Sequence, residues 1–121
     1  MKRYGLILAI SAALLLAGTA EAAELNLEIV FSSPRAETTR LTLAYEGLFP
    51  TYSQEVPAGA TSVPIGPMTL EPAFYELYIS VASQETVRRF GFTLAADGTV
   101  VFDPAEGMAQ DGNRILISDM P

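Results

Sequence analysis

From Glu24 onward the chain alternates. Leu25, Leu27, Ile29 and Phe31 fall on one side of an extended backbone, and Glu24, Asn26, Glu28 and Val30 on the other. That is the period-two pattern of a half-buried strand. The turn cluster "SSPRAE" ends the run. A second alternating run sets Leu41, Leu43 and Tyr45 against Arg40, Thr42, Ala44 and Glu46. "YSQEVPAGATSVPI" then reads as two short strands around Pro57-Ala58-Gly59. Pro64 cannot donate a ladder hydrogen bond, which places this piece at a sheet edge or a bulge.

Two further runs carry most of the apolar surface. In "TLEPAFYELYISV" the inward set is Tyr75, Leu77, Ile79 and Val81, and in "TVRRFGFTL" it is Phe90, Phe92 and Leu94. A hairpin can bring an odd-numbered and an even-numbered set to one face only when paired positions sum to an odd number. Turning through Ser83 to Thr86 pairs Ile79 with Phe90, Leu77 with Phe92 and Tyr75 with Leu94. On the other face this register sets Tyr78 opposite Gly91, with its ring over the bare glycine. Asp97-Gly98 predicts a type I′ hairpin turn into "TVVFD". A loop, "PAEGMAQDGN", leads to the last strand, "RILIS".

No segment after the first two dozen residues shows helical periodicity. Seven or eight short strands with closely spaced turn signals predict an all-β fold, an antiparallel immunoglobulin-like β-sandwich. Its expected core includes Leu27, Ile29, Leu41, Leu43, Leu77, Ile79, Phe90 and Phe92. Leu70, Pro72 and Tyr75 in "LEPAFY" resemble the corner of fibronectin type III domains, where a leucine and a proline precede a tyrosine packed at the sandwich edge. In that family the tyrosine usually stands one position later and an early strand carries a tryptophan, which this chain lacks. The resemblance implies a fold, not a role. It also implies that the Tyr75 hydroxyl finds a backbone acceptor near the turn.

The N-terminus has a different character. Lys2 and Arg3 precede an apolar run from Tyr4 to Ala17, short for a membrane span, and Ala20 and Ala22 sit at the small-residue positions of a cleavage site. The expectation is a secretory signal peptide over 1–22, cleaved to leave a single domain over 23–121 with no membrane anchor. Such a protein would be periplasmic or secreted. The absence of cysteine suits a bacterial envelope better than a small disulfide-stapled eukaryotic domain.

Charge narrows the partners. Without Lys2, Arg3 and Glu21 the chain keeps 13 acidic and 5 basic residues. An acidic balance disfavours nucleic acid, attracts cations at long range and also simply aids solubility. With no histidine and no cysteine, Ser-His-Asp and Cys-His catalysis and the usual zinc, copper and haem sites are excluded. No cofactor is expected.

Three clusters remain as candidate chemistry. Phe74, Glu76 and Tyr78 share the outward face of one strand, a ligand or partner surface of two aromatics around a carboxylate. Glu71 and Glu76 are a carboxylate pair, although solvated strand glutamates are the simpler reading. Asp103, Glu106, Asp111 and Asn113 offer oxygen ligands of the kind calcium prefers, at a spacing that matches no standard loop. The reading is a non-enzymatic, exported binding or envelope-assembly module with a protein or glycan partner. Alternatives are a carbohydrate-binding module using Phe74 and Tyr78, an acidic inhibitor of a cationic secreted enzyme, and a small carboxylate hydrolase.

Overall fold

The computed structural model of the protein describes residues 22–81, 83 and 87–118. The expected signal segment, apart from Ala22, lies outside the described residues, as does most of the turn expected at Ser83 to Thr86. Nine strands are present among the described residues: β1 (Ala23–Phe31), β2 (Thr39–Tyr45), β3 (Phe49–Val56), β4 (Ser62–Leu70), β5 (Ala73–Val81), β6 (Val87–Leu94), β7 (Val100–Phe102), β8 (Met108–Asp111) and β9 (Arg114–Ile117). They build a four-stranded sheet ordered β4-β1-β9-β8 and a five-stranded sheet ordered β3-β2-β5-β6-β7. No described residue is helical.

Alternation decides which faces meet. Leu25, Leu27, Ile29 and Phe31 of β1, Leu41 and Leu43 of β2, Tyr75, Leu77 and Ile79 of β5 and Phe90, Phe92 and Leu94 of β6 are buried and form one cluster with Val63 and Ile65 from β4 and Ile115 and Ile117 from β9. All eight expected core residues belong to it. β4 is the edge strand that Pro64 requires, and it bulges against β1 between Leu25 and Leu27.

Four expectations need correction. The β5–β6 register is displaced by two residues: Tyr75 pairs with Phe92, Leu77 with Phe90 and Glu76 with Gly91. The parity argument holds, because it constrains only whether the sum is odd and leaves adjacent odd registers equally allowed. The β6–β7 turn is not type I′. Gly98 has positive φ but Asp97 does not. The Asp97 carboxylate instead accepts the Thr99 N–H (2.9 Å), and Gly98 N–H bonds to Ala95 O (3.0 Å), as in a type I turn followed by a left-handed glycine. Third, β9 runs parallel to β1. The chain crosses to the four-stranded sheet after β7, and the β8–β9 hairpin then fixes the direction in which β9 reaches β1.

The fourth correction is β8, inside the segment read as a loop. Its register partner to buried Ile115 is the polar Gln110, so the period-two signal is lost there. That side chain reaches the edge of the other sheet. Its Oε1 accepts the Phe102 N–H (2.9 Å), and its Nε2 donates to Val100 O (2.7 Å). The amide acts as a one-residue strand partner for β7 and ties the two sheets on that side.

At one end of the five-stranded sheet the register lines up an aromatic from every strand: Phe49, Tyr45, Tyr75, Phe92 and Phe102. Ring centroids are 5.7 Å apart for Tyr45–Tyr75 and Tyr75–Phe92, and 4.8 Å for Phe92–Phe102. The Tyr75 hydroxyl donates to Glu71 O at 2.6 Å, four residues upstream, satisfying the polar tip of a ring that is 1% exposed. Tyr75→Phe is expected to lose about 0.5–1.5 kcal/mol, the net worth of one such bond, as a lower urea midpoint with unchanged slope.

Candidate functional site

The outward face of the five-stranded sheet carries the three residues singled out by sequence, and each has a local partner. Phe74 lies diagonal to Gly91 and covers it: a Cβ on Gly91 would fall 2.6 Å from Phe74 Cζ. The ring over the glycine is therefore Phe74, not Tyr78, a consequence of the two-residue register difference. Tyr78 instead donates its hydroxyl to Gly47 O (2.7 Å), and the Arg89 guanidinium lies over its ring, 5.5 Å from the centroid. Glu76 sits beneath the β2–β3 turn, its Oε1 3.0 Å from where a side chain on Gly47 would begin.

That turn, Glu46 to Leu48, folds onto the sheet. Glu46 N–H donates to Phe74 O (2.8 Å), and Gly47 N–H and Leu48 N–H return to Ala44 O (3.1 Å) and Tyr45 O (3.0 Å). Ala44, outward by parity, is consequently buried. Sequence reasoning ended the second strand at Glu46 and began the next at Tyr52, passing over Leu48 and Phe49. Both are exposed, at 73% and 60%. The signal that could have found them is two consecutive large apolar residues directly after a turn glycine.

Phe49 is the solvent end of the aromatic row, where cover runs out: Phe92 and Tyr75 are buried, Tyr45 is half-buried and Phe49 is open. The surroundings are acidic. The carboxylates of Glu46 first and Glu71 second push the Tyr45 phenol above its ordinary 10.0. Burial first, and then Glu71, push Tyr75 the same way. The folded protein therefore holds these protons more tightly than the unfolded chain. The stability they add is present in full below pH 10 and lost as pH rises past the folded values. A phenolate absorbance titration should show two tyrosines ionising later than free tyrosine, together with weakened resistance to urea over that alkaline range.

β3 is also an open edge. No described strand pairs with its outer side. A bulge at Leu43/Ala44 leaves Thr51 without a register partner, and Tyr52 to Val56 then run in continuous register with Leu43 to Thr39. β3 itself carries Pro50 and that bulge at its start; of the other edges, β4 contains Pro64 and Pro67, β8 is four residues long, and β7 is capped by Gln110.

The remaining candidates disperse. Glu71 acts on Tyr45, whereas Glu76 lies under Gly47 on the outer face. The backbone carbonyl of Glu106 accepts from Arg88 (2.6 Å), and Asn113 donates to Asn26 O (2.6 Å). Among the described residues no three histidine, cysteine or acidic side chains gather as a metal group would require. Shallow grooves of about 210 and 410 Å³ on the outer side of the four-stranded sheet both border Arg114, whose guanidinium is held by Glu28 at 3.1 Å. Comparison with protein-family models, with curated proteins and with solved structures returns no match.

Proposed function

We propose that the protein is an exported, non-enzymatic binding or assembly module on an immunoglobulin-like sandwich, acting through the open edge of its five-stranded sheet. The observation that carries this reading is the exposed Leu48-Phe49 pair beside the run Tyr52 to Val56, a proline-free stretch of β3 whose outer side no described strand pairs. Proteins normally protect their edges, because unpaired N–H and C=O groups template further pairing. An edge left open beside an exposed Leu48-Phe49 pair suits a partner chain that adds to the sheet.

The immunoglobulin-like assignment is supported by connectivity. β1 pairs with β4 in one sheet and β2 with β5 in the other, so two successive connections cross between layers together. A tyrosine bonding back to the preceding corner at the start of β5 fits the same plan. The glycan alternative is weaker on this geometry, since the Tyr78 hydroxyl and one face of its ring are already engaged. Against catalysis, Glu71 acts on Tyr45 while Glu76 lies under Gly47 on the outer face, and the sequence offers no histidine or cysteine.

The test is affinity purification of the protein from the envelope fraction of its own host. A stoichiometric protein partner is the expected result. Recovery of the protein alone under gentle extraction would count against the reading.

A further inference from the structure

We infer that Asp111-Gly112, at the tip of the β8–β9 hairpin, is a site of spontaneous aspartate isomerisation, while the fold restrains the same dipeptide at Asp97-Gly98. The inference goes beyond the binding reading and does not depend on any partner.

The reaction needs these two groups and water. The Gly112 backbone nitrogen attacks Cγ of the Asp111 carboxyl. An N–Cγ bond forms, the Cγ–OH bond breaks, and the hydroxyl leaves with the amide proton as water. Water then opens the succinimide ring at either carbonyl. Opening at Cγ restores aspartate. Opening at the main-chain carbonyl leaves the chain running through the side-chain carbon, as isoaspartate. Nothing is oxidised or reduced. A following glycine favours closure because no Cβ shields its nitrogen.

The sequence holds this dipeptide twice, and the fold treats the two copies differently. At Asp97-Gly98 both reacting groups are engaged: the carboxylate accepts the Thr99 N–H (2.9 Å), and Gly98 N–H donates to Ala95 O (3.0 Å). The Thr99 N–H also holds that carboxyl below its ordinary 3.8, and an ionised carboxyl loses water less readily. Gly98 is half-buried, and a Cβ on it would lie 3.2 Å from Glu24 O. At Asp111-Gly112, among the described residues, no hydrogen bond or ion pair reaches the carboxylate or the Gly112 N–H. Arg114, the register partner of Asp111, gives its Nε to Glu28 instead (3.1 Å). Both residues of the dipeptide are exposed, and nothing lies within 4 Å of where a Cβ on Gly112 would stand.

The place in the fold also eases the backbone rotation that closure requires. Gly112 (φ +60°) and Asn113 form the turn between the paired Asp111 and Arg114. Asp111 ends a short edge strand, where local opening costs little. The anchors of the turn lie beyond the reacting nitrogen. Gly112 O accepts from Gln110 Nε2 (2.9 Å), Asn113 O accepts from Glu28 N–H (2.9 Å), and Asn113 Nδ2 donates to Asn26 O (2.6 Å). Isomerisation inserts a methylene into the main chain at Asp111 and so displaces its pairing with Arg114.

The experiment holds the host-purified protein in warm neutral buffer for weeks, beside the same protein unfolded in urea. Peptide mapping with electron-transfer fragmentation distinguishes α- from β-linked aspartate at each site. In urea the two sites should convert at similar rates. In the folded protein Asp111 should convert about tenfold faster than Asp97 or more, a factor that the two hydrogen bonds at Asp97-Gly98 can supply. Asp111→Glu, which would need a larger ring, should stop conversion there and leave Asp97 unchanged. Asp111→Asn should reach the same product faster in the folded protein, shedding ammonia in place of water. Equal rates at the two sites in the folded protein would overturn the inference. So would a folded Asp111→Asn variant that keeps its asparagine while the same variant in urea loses it.

Discussion

Phe92→Ala should cost about 3–5 kcal/mol of folding free energy. Phe92 is fully buried, and its ring is the centre of the cross-strand row, stacked on Tyr75 and tilted against Phe102. Truncation removes the transfer energy of the ring and leaves a cavity between two sheets. It also removes two aromatic contacts, each worth about 0.5–1.5 kcal/mol beyond area burial. A domain of this size has only about 5–15 kcal/mol in total, so the variant would be marginal. Urea unfolding should show a large fall in midpoint at constant slope. A loss below about 1 kcal/mol would mean that the two sheets do not close over this residue.

Gly66→Ala should be comparably damaging for a different reason. Gly66 has φ +95° at the β1–β4 bulge, and a Cβ there would lie 2.3 Å from Leu25 O. The obstacle is backbone, and Leu25 is fully buried in β1, so nothing can yield cheaply. Backbone strain of about 1–3 kcal/mol adds to the clash, for an expected loss of about 3 kcal/mol or more. Because β4 is an edge strand, the damage should be local at first. Hydrogen exchange should accelerate in β4 and the first half of β1 before the five-stranded sheet responds. Wild-type stability in this variant would contradict the bulge geometry.

The sequence carried the faces more clearly than the registers. Leu25 to Phe31 and Tyr75 to Val81 announce which side is buried because a large apolar residue stands at every second position. Parity then requires an odd pairing sum for β5 and β6, but it does not choose between adjacent odd sums. The strands take the register two residues away from the expected one, and the cover over Gly91 moves from Tyr78 to Phe74. β8 was hidden because its inward position is Gln110, which pays for its polarity by bonding to β7. The parallel meeting of β1 and β9 joins residues at opposite ends of the chain, beyond the reach of any local pattern. Phe74, Glu76 and Tyr78 were legible as one face. The turn that engages Glu76 and Tyr78 was not, since its fold-back takes Glu46, a non-glycine residue, to a positive φ that no local pattern announces. Leu48 and Phe49 escaped notice because two adjacent apolar residues follow neither the strand nor the helix period.

The proposed role stands most directly on β3, and residue-resolved hydrogen exchange with and without the co-purified host partner tests it. New protection is expected among Tyr52 to Val56, with smaller changes in the Glu46–Leu48 turn and none on the outer side of the four-stranded sheet. Protection appearing around Val30, Arg114 and Leu116 instead, with β3 exchanging as in the free protein, would contradict the account.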